Sequence, residues 1–175
     1  MTAISPGRAG EELWRFSLAV YAAPGVAPHC LDLQDKCGAD VNVVLALAWA
    51  GASGRGTIVT ADLVALDRAV APLRRAVVEP LRAARRWLRP MIAADRDPGD
   101  LDDLRTRIKA VELEAERRVQ ARLGAALDVR RVVDPPEARL AAAASNVEAY
   151  LRHLGAACSP GPLIPAMEAW IREHS

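Results

Sequence analysis

The sequence predicts an all-α fold, and three observations carry that expectation. Ala, Leu, Arg and Glu, all strong helix formers, dominate its 175 residues. Aromatic residues make up only 4% of the chain, poor material for a β-sandwich or barrel. Apolar residues recur at steps of three and four along most of its length. That length suits one domain, and 51% hydrophobic residues supply a core that needs no disulfide or metal staple. The expected organisation is a frayed tail over 1–9 and a single bundle of six or seven helices over 10–175. Within the bundle, 10–58 holds short helices, 59–127 a long antiparallel helical hairpin and 128–175 the C-terminal helices.

The elements follow from local signals. Residues 10–22 form a first helix with Trp14, Leu18 and Tyr21 on one face, broken by Ala23-Pro24-Gly25. Pro28 suits the first turn of a helix from His29 to Lys36, which Gly38 stops. Asp40 N-caps a helix over 41–50, apolar nearly all round and so expected at the centre of the core, ending at Gly51. A glycine-rich connection, Gly51 to Gly56, follows. Thr60 caps a long helix to Arg89, whose heptad-like seam is Leu63, Leu66, Val70, Leu73, Val77, Ala84 and Trp87. Pro72 and Pro80 interrupt it. Pro90 to Gly99 reads as a turn. Asp100, Asp102 and Asp103 then open a helix to about Leu127 with Leu101, Leu104, Ile108 and Val111 on its seam. After Pro135-Pro136 comes a helix over 137–154, with Leu140, Val147, Tyr150, Leu151 and Leu154 as core, and a last one over 166–174.

Composition narrows the function. Lys plus Arg is 23 against 22 acids, so the chain has no overall basic excess for nucleic acid. Lys occurs only twice, so the many arginines reflect compositional bias and are weak evidence of Arg-specific chemistry. The longest apolar run, Val41 to Ala52, contains Asn42 and is too short to span a membrane. Three cysteines, Cys30, Cys37 and Cys158, do not make a disulfide scaffold, which fits a reducing cytoplasm. The short run Phe16–Ala23 follows Glu11 and Glu12 rather than positive charge, unlike a secretory leader.

Potentially reactive groups are densest between His29 and Asn42. His29, Asp32 and Asp35 lack the Glu-x-x-His pattern of a di-iron bundle, and the cysteines lack zinc spacing, so neither metal nor cofactor is expected. Cys30 and Cys37 lie two helical turns apart, about 10 Å, too far to bridge within one straight helix, and read as small core hydrophobes. Gln34, Asp40 and Asn42 suit a polar network that orders the turn at Gly38. The competing reading is a ligand or partner surface built from Trp14, Tyr21, His29, Asp32, Gln34, Asp35, Asp40 and Asn42. His153 and His174 are isolated and read as surface residues.

Trp14-Arg-Phe16-Ser17 with Tyr21, then Pro24-Gly25-Val26, Cys30 to Asp35, Gly38 to Asn42 and Trp49 form a long motif. It resembles the signature of an uncharacterised family of small proteobacterial proteins, a domain of unknown function, over roughly residues 12–52. The resemblance implies a cytosolic bacterial protein and supplies no reaction.

A second surface lies in the long helix. Arg68, Arg75, Arg82 and Arg89 repeat every seven residues on the side away from the seam, in a segment (60–90) of local charge +4. A solvated outer face is the expected reading. An anion-binding stripe for nucleic acid or an acidic partner is the sharper one, disfavoured because no recognition helix or aromatic stacking platform accompanies it. With no recognisable catalytic constellation, the balance of these readings is a non-enzymatic cytoplasmic helical protein, a protein-interaction or regulatory module that binds a protein partner or itself. A small-ligand protein or enzyme using 29–42 is the alternative, and DNA binding through the arginines a further one.

Overall fold

The computed structural model describes residues 6–95, 99–127, 132, 134–155 and 157–175. Among them no strand occurs, and the helices are α1 (Pro6–Tyr21), α2 (Val26–Cys37), α3 (Val41–Ala52), α4 (Thr60–Leu73), α5 (Glu79–Ala94), α6 (Gly99–Ala126), α7 (Pro136–His153) and α8 (Leu163–Glu173). A π-helical segment, Arg74–Val78, joins α4 to α5 without a break. Counted as one rod from Thr60 to Ala94, these make seven helices in an all-α bundle. The chain divides into two compact units, 1–67 with 120–175, and 68–119.

The larger unit is built around α3. Every residue from Asn42 to Ala52 is buried, as an all-round apolar helix requires. It packs on α7 most extensively and on α1, α2 and α8 as well. Asp40 caps it as expected: its Oδ1 accepts from the Asn42 N–H at 2.9 Å. Gly38 ends α2 in the left-handed region at φ 68°, where only a residue without Cβ sits without strain. Gly51 does not stop α3, which runs on to Ala52. Its role is close approach: a Cβ there would stand 2.1 Å from the backbone nitrogen of Ala143 on α7. The run Ala141–Ala144 lets the two backbones meet. Gly10 and Gly124 do the same for α1 and α6, where a Cβ on Gly124 would lie 2.7 Å from the Gly10 Cα.

Several expectations need correction. The first helix starts at Pro6, so part of the expected frayed tail is ordered; residues 1–5 lie outside the described ones. Its inward face is Ala9, Leu13, Phe16 and Val20, while Leu18 and Tyr21 are exposed. Both sets have helical spacing, and only tertiary packing chooses between them. Pro90 does not begin a turn, because α5 continues to Ala94 with Leu88 buried. The expected seam of α6 is also displaced: Leu104 and Val111 are exposed, and Glu112, Ala115 and Val119 face inward.

The π segment explains the seam of the long rod. The Glu79 N–H bonds to the Arg74 carbonyl, five residues back. A regular α-helix would drive the Pro80 ring into the Ala76 carbonyl, and the wider turn removes that clash. The turn also advances the buried line by about one position. Leu63, Leu66 and Val70 are buried as expected, but beyond the turn the buried residues are Val78 and Leu88 rather than Ala84 and Trp87.

Candidate functional site

The segment 29–42 does not gather into one cleft. His29 Nε2–H donates to the Ser159 carbonyl at 3.0 Å, docking α2 on the connection before α8. Asp32 pairs with Lys36 at 2.9 Å on an exposed helix face, and Gln34 donates to Asp35 at 3.2 Å beside it. Asp40 caps α3, and its own N–H donates to the Tyr150 hydroxyl at 3.2 Å. Asn42 points elsewhere, accepting from Gln120 Nε2 at 3.0 Å. Trp14 is half-buried and Tyr21 exposed on α1. Among the described residues no three His, Cys, Asp or Glu side chains gather closely enough to hold a metal ion.

The cysteines divide. Cys30 is buried, and burial pushes its thiol up to about 11, so it stays protonated and unreactive at neutral pH. Cys37 is not a small core hydrophobe. It forms a disulfide with Cys158, 121 residues away, their Cα atoms 6.7 Å apart. The expectation of cysteines without a disulfide is therefore overturned. Sequence spacing could not reveal the bond, because the fold alone brings the α7–α8 connection to the end of α2. Ser159, which receives His29, follows Cys158 directly, so the connection is fastened twice.

In the smaller unit the four arginines part company. Arg68, Arg75 and Arg89 are exposed. Arg82, expected to face solvent, turns inward after the π segment and donates to Glu112 at 3.1 Å and Glu116 at 2.6 Å. Arg85 also grips Glu112, with Nη2 to Oε1 at 3.1 Å. Glu112 is only 5% exposed. Burial pushes its carboxyl up, but the hydrogen bonds and charges of Arg85 and Arg82 outweigh this and hold it below the ordinary carboxylate value. Arg82 is raised: burial opposes its charge, and the attraction of Glu116 and Glu112 prevails.

The same hairpin leaves apolar groups outside. Trp87 is 65% exposed, Val111 54%, Leu104 43% and Met91 40%. On α5, Pro80, Ala84, Trp87 and Met91 follow at i, i+4, i+7 and i+11, a stripe rotated from that of the buried Val78 and Leu88. On α6, Leu104 and Val111 stand off Ile108 and Glu112 in the same rotational sense. The Arg82–Glu116 and Arg85–Glu112 pairs show the helices antiparallel. Equal offsets on antiparallel helices fall on one side, so these residues form a single apolar face.

The larger unit holds a cleft of about 670 Å³. Half-buried Trp170 supplies the aromatic wall, with Phe16 and Trp49 buried behind it, and Arg8, Arg15 and Arg139 supply cations. Phe16 and Trp170 lie nearly perpendicular with centroids 5.0 Å apart, and His174 stacks on Trp170 at 4.2 Å. The sequence offered no signal for this cleft, since its residues come from both ends of the chain and have no mutual spacing.

No curated protein and no solved structure matches the chain. The family described as a protein of unknown function, DUF2390, matches residues 12–123, from α1 through most of α6. That range contains the motif of residues 12–52 and extends through the hairpin. With well over half of its residues matched, the chain belongs to the DUF2390 family.

Proposed function

We propose that this is a non-enzymatic helical interaction protein of the bacterial cytoplasm, and that a second copy of the chain covers the apolar face of its α5–α6 hairpin. The exposed Trp87, in line with Met91 and facing the same way as Leu104 and Val111, is the observation that carries the reading. A lone Trp at 65% exposure, with no described ring contact, is costly to leave in water unless something covers it. A two-helix layer buries one side only, and a second hairpin completes a four-helix bundle.

Charge favours a second copy as occupant. Arg107 and Glu114 lie one heptad apart, beside the apolar groups of α6, and Glu114 also holds an exposed i,i+4 pair with Arg118 at 2.7 Å, open to exchange with a second cation. Antiparallel apposition of two α6 helices about a two-fold axis sets Arg107 of one copy opposite Glu114 of the other, twice. Polar residues 29–42 serve the fold in this reading. The DNA-binding alternative loses Arg82 to its ion pairs with Glu112 and Glu116.

Light scattering on the eluting protein at about 100 µM tests the proposal. A dimer is expected for the full chain, and a monomer with unchanged helical circular dichroism for Trp87→Glu with Met91→Glu. A monomeric full chain, or a dimer indifferent to the two charges, overturns it. The cytoplasmic placement has its own test, because the Cys37–Cys158 bond is of a kind rare in reducing compartments. Alkylation of thiols at the moment of lysis should find Cys37 and Cys158 as free thiols that close into the disulfide only on oxidation; a pair already fully oxidised in the cell assigns the protein to an oxidising compartment.

A further inference from the structure

The cleft of the larger unit is independent of the hairpin face. Its volume, about 670 Å³, lies inside the range of small-molecule sites. Trp170 is held from two directions, by the near-perpendicular ring of Phe16 and by the stacked His174. His174 is itself oriented: its Nδ1 lies 2.8 Å from the Trp170 carbonyl. A carbonyl only accepts, so Nδ1 carries a proton and donates it there. Such an assembly of locked rings is a preorganised stacking wall.

The charge around it is positive. Arg8, Arg15 and Arg139 line the cleft against Glu12 and Asp134. Glu12 is already shared, lying 4.0 Å from Arg8 and 3.6 Å from Arg55. Arg55 is a buried cation directly behind the wall, 3.8 Å over the Trp49 ring. Arg15 sends its Nε–H to a backbone carbonyl, that of Glu11, and among the described residues no carboxylate is in salt-bridge range of it. Four guanidinium groups thus surround or back two carboxylates, beside aromatic surface. We propose that this cleft binds a small planar anion, an aryl carboxylate or aryl sulfonate, whose ring lies along the Trp170 wall and whose anionic group meets Arg15 and Arg8.

The probe is 1-anilinonaphthalene-8-sulfonate, titrated into the full chain by calorimetry and fluorescence. One saturable site is expected, weakened at least tenfold by Arg8→Glu with Arg15→Glu, both at exposed helix positions that preserve the fold. N-phenyl-1-naphthylamine, the same ring system without the sulfonate, should bind at least tenfold more weakly. Trp87→Glu should leave the site unchanged, which separates this proposal from the hairpin reading. Absence of saturation up to about 1 mM, indifference to the two arginines, equal binding of the uncharged amine, or loss of the site in Trp87→Glu would each overturn it.

Discussion

The two units of this chain invert one another. In the larger one, α3 is apolar nearly all round, and some of the polar groups that enter the core are matched by the backbone. Asn146 on α7 shows this best. Its amide donates to the Leu47 and Gly56 carbonyls at 3.2 and 3.0 Å and accepts from the Ile58 N–H at 2.8 Å. One side chain thereby fixes the glycine-rich connection after α3. In the hairpin the interior holds Arg82, Arg85 and Glu112, while Trp87, Met91, Leu104 and Val111 lie outside. Four helices packed on one can bury an apolar rod; a two-helix layer cannot, and its register decides which groups are covered. The comparison teaches that amphipathic periodicity states how residues are spaced, not which of the resulting stripes finds a partner.

The largest expected effect breaks the larger unit. Gly51→Leu would force a side chain into the backbone of Ala143 and should cost at least about 4 kcal/mol, the exceptional end of single substitutions. Guanidinium unfolding monitored at the helical band measures it, and a loss below about 1 kcal/mol would show that α3 and α7 separate easily.

The next tests the charged interior of the hairpin. Glu112→Ala leaves Arg82 and Arg85 partly buried without their shared carboxylate and should destabilise by about 3 kcal/mol at pH 7. Because the fold depresses the Glu112 pKa, its contribution is complete above the ordinary carboxylate range and disappears as the pH falls through the folded value. The gap between native chain and variant should therefore shrink in acid, as paired unfolding curves at pH 7 and pH 3 will show. A gap that widens in acid contradicts the assignment. Replacing both members, Glu112→Leu with Arg85→Leu, should recover most of the loss, since a well-packed apolar pair can match a buried ion pair.

The smallest effect sharpens the contrast from the other side. Tyr150→Phe removes the acceptor of the buried Asp40 N–H while the Asp40–Asn42 cap stays, for a loss of about 1–2 kcal/mol. Unfolding curves for Tyr150→Phe beside Asp40→Ala separate the two bonds, and equal losses would mean that they act as one unit.

Much of the fold was legible along the chain. Asp40 as a cap, Gly38 as a stop and α3 as the buried centre depend on neighbours within four residues, so local chemistry specifies them. The candidate site was less legible. The segment 29–42 is dense in polar groups, yet its members answer to Ser159, Tyr150 and Gln120, all remote in sequence. Residues on one short helix point in several directions, so density along the chain does not become convergence in space.

By itself the sequence determined the all-α class, the order of the helices and their main caps, because these follow from propensity, periodicity and turn chemistry within a few residues. Tertiary structure alone decided the rest. It chose Phe16 and Val20 over Leu18 and Tyr21, joined Cys37 to Cys158, and built the aromatic cleft from α1, α3 and α8. It also shifted the hairpin by one residue at the π turn, turning Arg82 in and Trp87 out. The physical reason is common to all four: each depends on which of several equally periodic surfaces is removed from water, and that is fixed by groups far away in the chain.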